Sequence, residues 1–159
     1  MPAAPTPAIA ALLRAQVAHT VHPYHHDPNT TAFGDEVVQA LGLDPDRVFK
    51  TLVAAVDGNL VVGIVPVSRQ LDLKGLAAAI GGKKAQLAKV ADAERSSGYV
   101  AGGISPLGQR KPLPTVIDEM AELFDTIMVS AGKRGLQVEL APADLIKLCG
   151  AIVADIAGD

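Results

Sequence analysis

The chain has 159 residues, 49% of them hydrophobic but only 3% aromatic and none of them tryptophan, so its core must be built from Ala, Val, Leu and Ile. A formal net charge of -3 excludes a protein that holds duplex DNA by bulk positive charge and confines any nucleic-acid contact to a local patch. The single cysteine, Cys149, cannot close an intramolecular disulfide.

In chain order, Thr6 is placed as an N-cap and Pro7 as the first helical residue of an amphipathic helix carrying Ile9, Leu12, Leu13 and Gln16. "VAHTVHPYHH" reads as a strand interrupted at Pro23, hence an edge or a bend. "FGDEVVQALGL" reads as a short helix closed by Gly42. "VFKTLVAAV" and "LVVGIVPV" are apolar strands joined by Asp57-Gly58-Asn59, a hairpin signal expected to mark the centre of the sheet. "LDLKGLAAAIGG" is a helix, "KKAQLA" a short strand and "DAERSS" a helical turn. Strands follow at "TVID", "TIMVSAG" and "LQVELA", with a helical turn at "EMAELF" and a helix at "PADLIKLCG". The closing "AIVADIAGD" suits either a strand or a loose tail. One mixed α/β domain spanning 1–159 is the economical reading, since neither a repeat period nor a Gly-Ser linker divides it.

Between these elements lies "SSGYVAGGISPLGQRKPLPT", residues 96–115, with four glycines, three prolines and no acidic residue. Irregular segments of this length inside a domain are uncommon and often bind ligands. Gly102 and Gly103 allow close approach of main-chain N–H groups to a substrate, where they can support a carbonyl oxygen as it gains charge. The alternative is a flexible surface loop, against which Pro106, Pro112 and Pro114 argue.

Lys50 lies in a strand with apolar neighbours on its own face. It either reaches water at the strand end or is itself a cation held at a pocket mouth to orient a substrate. Thr51, one residue on, faces the other side of a regular strand, although its backbone N–H can still serve a pocket. His19 and His25 alternate with His22 and His26 about the strand, which splits them as a metal cluster. No G-x-S-x-G phrase supports Ser105 or Ser130 as a nucleophile, Cys149 ends an amphipathic helix as an ordinary small hydrophobe, and "GGKK" lacks the spacing of a phosphate-binding loop. No metal or cofactor is therefore expected. The basic pairs Lys83-Lys84, Arg110-Lys111 and Lys133-Arg134 are small, and Asp118, Glu119, Glu122 and Asp125 separate the last two. No charge-free apolar run reaches the roughly 18 residues of a membrane span, and the start of the chain lacks the features of a secretory signal, so the expected location is the cytoplasm.

The phrases "YHHDP", "FGDEVVQALGL", "VFKTLV", "RSSGYVAGGISPLGQRKPLPTVID", "VSAGKRGLQVEL" and "DLIKL" resemble the YbaK/EbsC family, free-standing relatives of the editing domain of bacterial prolyl-tRNA synthetases. The resemblance covers nearly the whole chain. It implies a barrel-like mixed sheet with surrounding helices, acting on mischarged proline tRNA beside prolyl-tRNA synthetase to remove cysteine. Cysteine and proline are similar in size, and a pocket separates small apolar groups by only about 1–3 kcal/mol per methylene, so a second site must correct errors. By matching phrase the resemblance makes Lys50 the essential lysine beside the ester, with Thr51 next to it. Tyr24 and Phe33 would shape the substrate end, Gly102 and Gly103 would form the glycine loop, and Ser130 would bind substrate. It further implies that the cysteine thiol attacks its own ester, with no protein nucleophile. Some relatives carry an acid where this chain has Gln137, which is given no charged role. A deacylase for alanine or another small residue using water, and a non-catalytic tRNA- or synthetase-binding module, are the alternatives.

Overall fold

The computed structural model describes residues 5–159. Its organising element is the hairpin of β2 (Phe49–Val56) and β3 (Asn59–Pro66). The two connecting residues, Asp57 and Gly58, both have positive φ, 50° and 85°, the primed-turn geometry whose twist matches that of the strands. The register runs unbroken from Phe49↔Pro66 to Val56↔Asn59. As the hairpin signal predicts, β3 is the middle strand of a five-stranded sheet. β2 and then β5 (Ala85–Leu87) lie antiparallel on one side, β6 (Thr115–Asp118) and then β9 (Ile152–Ala154) parallel on the other.

A second, antiparallel sheet has β8 (Leu136–Leu140) between β1 (His19–Pro23) and β7 (Ile127–Lys133). The sheets meet at one parallel bridge, Val48↔Met128, where the Met128 N–H donates to Arg47 O at 2.9 Å. The mixed α/β architecture is as expected, but the strands form separate open sheets and do not close into a barrel among the described residues.

The main core lies between the sheets, with Phe49, Val53 and Ile64 facing Ile127, Val129 and Val138. Helix α1 (Pro7–Arg14) adds Ala8 and Leu12, and α5 (Pro142–Cys149) adds Leu145. Thr6 caps α1 as anticipated, accepting from the Ile9 N–H at 3.2 Å, and its hydroxyl also donates to Ala131 O, which ties the helix to β7. On the other face of the large sheet, Ala54, Val56 and Val61 pack against Leu76 of α3 (Leu73–Ala79) and against Ile156. A third cluster joins Val37 of α2 (Phe33–Leu41) to Val48 and Met128. α4 (Val90–Ser97) exceeds the single turn read from "DAERSS", and residues 119–123 form a 3-10 turn.

The C-terminal segment is structured: β9 pairs with β6, and β10 (Ala157–Gly158) pairs with β4 (Gln70–Leu71). Asp118 holds it there. Its carboxylate is buried, Oδ1 accepts from the Ile156 and Ala157 N–H groups at 2.9 Å each, and Oδ2 accepts from the Met120 N–H at 3.0 Å. In the sequence this residue is merely one acid among four. Asp118→Ala leaves three backbone donors without their acceptor, and an unsatisfied buried group costs about 1–3 kcal/mol. Urea unfolding is expected to show a loss of about 3 kcal/mol or more, with hydrogen exchange of the Ile156 and Ala157 amides accelerated beyond the rest of the sheet.

Candidate functional site

The edge of β2 that faces away from β3 is paired at both ends and open between them. At one end is the Val48↔Met128 bridge; at the other, β5 pairs with residues 54–56 and the Ala88 N–H donates to Val53 O at 3.0 Å. Val48 O accepts from the Val67 N–H at 2.7 Å, which sets the phase of the hairpin: even-numbered residues of β2 turn their amides to β3, odd-numbered ones to the open edge. Thr51 therefore presents its backbone groups to the gap.

A pocket of about 410 Å³ occupies this gap. Its walls come from the start of α2 (Phe33, Gly34, Val37), from residues 48–53, from the end of β5 through the start of α4 (Leu87, Ala88, Val90), and from the glycine-rich loop (Ala101, Gly102, Ile104). Ser130 and Gln137, opposite each other across β7 and β8, complete it. Lys50 and Thr51 both line it, although alternation sends their side chains to opposite faces of the strand, because the pocket wraps around the strand edge.

Among the described residues, Lys50 is the one charged residue in the lining, and no ion pair engages it. Burial pulls its pKa below the usual lysine value, with the nearby Asp35 carboxylate opposing the shift. Thr51 and Gln137 are 9% and 5% exposed, and Thr51 Oγ1 and Gln137 Oε1 are buried with no hydrogen-bond partner among the described residues. Ser130 Oγ accepts from the Gly132 N–H at 3.1 Å.

The loop after α4 is tied down by specific contacts. The Tyr99 hydroxyl donates to Leu107 O at 2.6 Å, Gln109 Nε2 donates to Ser105 O at 3.0 Å, and the Ala101 N–H donates to Glu94 Oε2 at 2.8 Å. Gly102 has φ 83°, and a Cβ there would stand 2.6 Å from Cδ1 of the Phe33 ring, so only glycine fits under the aromatic wall. At Gly103 a Cβ would meet the Lys133 backbone at 2.8 Å. The Gly103 N–H is spent within the loop, donating to Val100 O at 2.8 Å, and Gly103 is not part of the lining. Of the two glycines, Gly102 is the one whose backbone meets the pocket.

Arg134, visible in the sequence only as half of a basic pair, has a larger part than expected. Its guanidinium lies 4.9 Å from the Phe33 ring centroid and its Nε donates to Ala101 O at 2.7 Å, so one side chain clamps the aromatic wall to the glycine loop. Tyr24 packs against the Val37–Val48–Met128 cluster and does not line the cavity. Arg110 and Lys111 bond through their backbone to Ser97 O and Ser96 O, which leaves both side chains exposed.

The remaining candidates are engaged elsewhere. His22 pairs with Glu139 at 2.8 Å, His26 with Glu36 at 2.7 Å, and His19 Nδ1 lies 2.7 Å from Val17 O. The Thr126 hydroxyl, then His22, with a weaker contribution from Arg47, hold the Glu139 carboxylate below its usual pKa against the effect of burial. The Cys149 thiol donates to Pro106 O at 3.3 Å, and burial pushes its pKa to about 12, which keeps it protonated and unreactive.

Residues 27–148 match the family model described as "Aminoacyl-tRNA editing domain". Over 125 residues the chain is 43% identical to the Enterococcus faecalis protein named "Putative Cys-tRNA(Pro)/Cys-tRNA(Cys) deacylase EbsC", covering 77% of this chain and 75% of that one. Over 104 residues it is 36% identical to the Escherichia coli K12 "Multifunctional Ser/Thr-tRNA deacylase ProXp-y", covering 62% of each. The fold is shared with a solved structure titled "Crystal structure of a putative trans-editing enzyme for prolyl tRNA synthetase", at a TM-score of 0.82, 24% identity and 96% coverage of both chains. With the family model spanning most of its length, this chain belongs to the aminoacyl-tRNA editing domain family.

Proposed function

We propose that this protein is a deacylase that removes cysteine from mischarged proline tRNA, with the substrate's own thiol as nucleophile. The observation that carries this reading is the make-up of the pocket: a half-buried lysine, a glycine backbone and three buried polar side chains, with no histidine, carboxylate or cysteine among the described lining residues. Such a site is poor in general bases and well suited to positioning. The 43% identity to a relative named for cysteinyl-tRNA deacylation supports the choice of amino acid.

The thiolate of the esterified cysteine attacks the ester carbonyl carbon, a C–S bond forms, and the C–O bond to the terminal ribose breaks. The thiol proton goes to solvent, and the departing ribose oxygen takes up a proton from Lys50, which solvent then restores. The strained thiolactone that leaves is opened by water to free cysteine. Holding sulfur and carbonyl in attack geometry removes an entropic barrier that can amount to about 7–11 kcal/mol. The carbonyl oxygen gains charge during attack and is supported by Lys50 and by backbone N–H groups of Thr51 and Gly102 at the open edge. A proline ester has no thiol and survives. The exposed side chains of Lys111, Lys133 and Arg134 supply salt-sensitive contact to tRNA phosphates, and prolyl-tRNA synthetase is the transient partner. The protein acts in the cytoplasm as a single domain over 1–159, with Phe33 and Ser130 bounding the aminoacyl group and Tyr24 supporting the pocket through the Val37–Val48–Met128 cluster.

The 36% identity to a Ser/Thr-tRNA deacylase favours a second reading, in which a hydroxyl-bearing amino acid is released by water. Offering Cys-, Ser-, Ala- and Pro-charged proline tRNA separates the two, and loss of no ester would leave a binding module. Lys50→Ala is expected to lower cysteinyl-tRNA deacylation at least about 100-fold, a typical effect of removing an oxyanion-stabilising group. Cys149→Ala should retain most of the activity. A fully active Lys50→Ala protein would sink the assignment.

A stability measurement tests the lysine separately. A lysine whose pKa is lowered in the folded state disfavours folding most when protonated in both states, that is, below its folded pKa. Lys50→Met is therefore expected to be inactive yet more stable than the wild type at pH 7, and its advantage should shrink as pH rises through the lowered pKa towards 10.5. Denaturant titrations across that range check both the sign and the trend.

A further inference from the structure

The two unpartnered polar atoms belong to Thr51 and Gln137, two of the three buried polar side chains that line the pocket. Thr51 Oγ1 and Gln137 Oε1 are shut off from solvent without a hydrogen bond, whereas every other buried side-chain N or O among the described residues of the protein has a partner. Leaving such groups unpaired opposes folding, and both residues line the same cavity. A ligand that fills the cavity and completes their hydrogen bonds removes that cost.

The chemistry of the cavity restricts what the ligand presents there. Lys50 is the only charge among the described lining residues, and the Asp35 carboxylate that acts on it is not part of that lining, so an ammonium group driven into the pocket would find a cation and no counter-charge in its walls. The unpaired atoms are neutral: a hydroxyl that can donate and accept, and an amide oxygen that accepts. Val37, Phe49, Val53 and Ala93 flank them with apolar surface and limit the size of the group.

Resting on the reading of this pocket as an aminoacyl-ester site, we propose that Thr51 and Gln137 form a hydrogen-bonding reader for the hydroxyl or thiol that ends a small amino-acid side chain. Gln137 Oε1 accepts the O–H or S–H hydrogen, while the Thr51 hydroxyl donates to the same oxygen or sulfur. For a cysteinyl ester the Thr51 hydroxyl then remains as a donor to the thiolate. Side chains of equal size without a donor leave both protein atoms unpaired, and a site built this way rejects them more strongly than an apolar pocket can.

The test uses binding, which separates it from the deacylation proposal. Two non-cleavable probes, adenosine carrying serine or 2-aminobutyrate through a 3′-amide, differ by a hydroxyl in place of a methyl. The wild type is expected to bind the seryl probe about tenfold more tightly, the effect of one or two net hydrogen bonds. Thr51→Val with Gln137→Met should abolish the preference, and Thr51→Ser should preserve it. Because Thr51→Val removes an unpaired hydroxyl, it should also raise the Tm of the free protein by about 2–4 °C. Equal affinity in the wild type, a preference that survives in the double variant, or a Tm that falls in Thr51→Val would each overturn the reader. If cysteinyl-tRNA is still deacylated in that case, the proposed activity stands without it; a seryl preference in a protein that cleaves no ester would keep the reader and remove the activity.

Discussion

The functional architecture depends on an interruption in hydrogen bonding along one strand. β2 is paired with β3 over its full length, but its other edge is held only at Val48 and from Val53 onward. An open edge in the middle of a domain would be a liability if nothing covered it. Here α2 and the glycine-rich loop roof the gap and convert it into a pocket. The unpaired backbone of the strand becomes a set of donors fixed by the rest of the sheet, so the site inherits the rigidity of the hairpin.

That arrangement explains the composition of the roof. Gly102 is needed because the Phe33 ring lies against its backbone, and Arg134 locks both by stacking on the ring and donating to Ala101 O. Tyr99, Gln109 and Glu94 fix the remainder of the loop through backbone contacts. A segment rich in glycine and proline thus serves as a wall of defined shape. On the proposed mechanism the pocket needs no reactive side chain of its own, because a site that holds a substrate against fixed dipoles gains its rate from geometry.

The sequence revealed what is determined locally. Asp57-Gly58 announces its hairpin because few other residue pairs tolerate two consecutive positive φ values, and Thr6-Pro7 announces α1 through capping chemistry. Lys50 and the long loop stood out as departures from the pattern around them. What stayed hidden depends on partners distant in the chain. The C-terminal strands are secured by Asp118, 38 residues before Ile156, and "AIVADIAGD" alone could not declare them. Gln137 gains meaning only from facing Ser130 across β7 and β8 and from the absence of any partner for its oxygen. Gly103 looked equivalent to Gly102, yet its N–H closes a turn with Val100, a distinction adjacent identical residues cannot show.

The central claim is that the protein positions a substrate which attacks itself, and blocking the thiol addresses it most directly. Single-turnover deacylation of proline tRNA charged with cysteine should be compared with the same tRNA charged with S-methylcysteine. Rapid loss of the cysteinyl ester with persistence of the S-methyl ester is the predicted result. Cleavage of both at similar rates would contradict it and transfer the role of nucleophile to water.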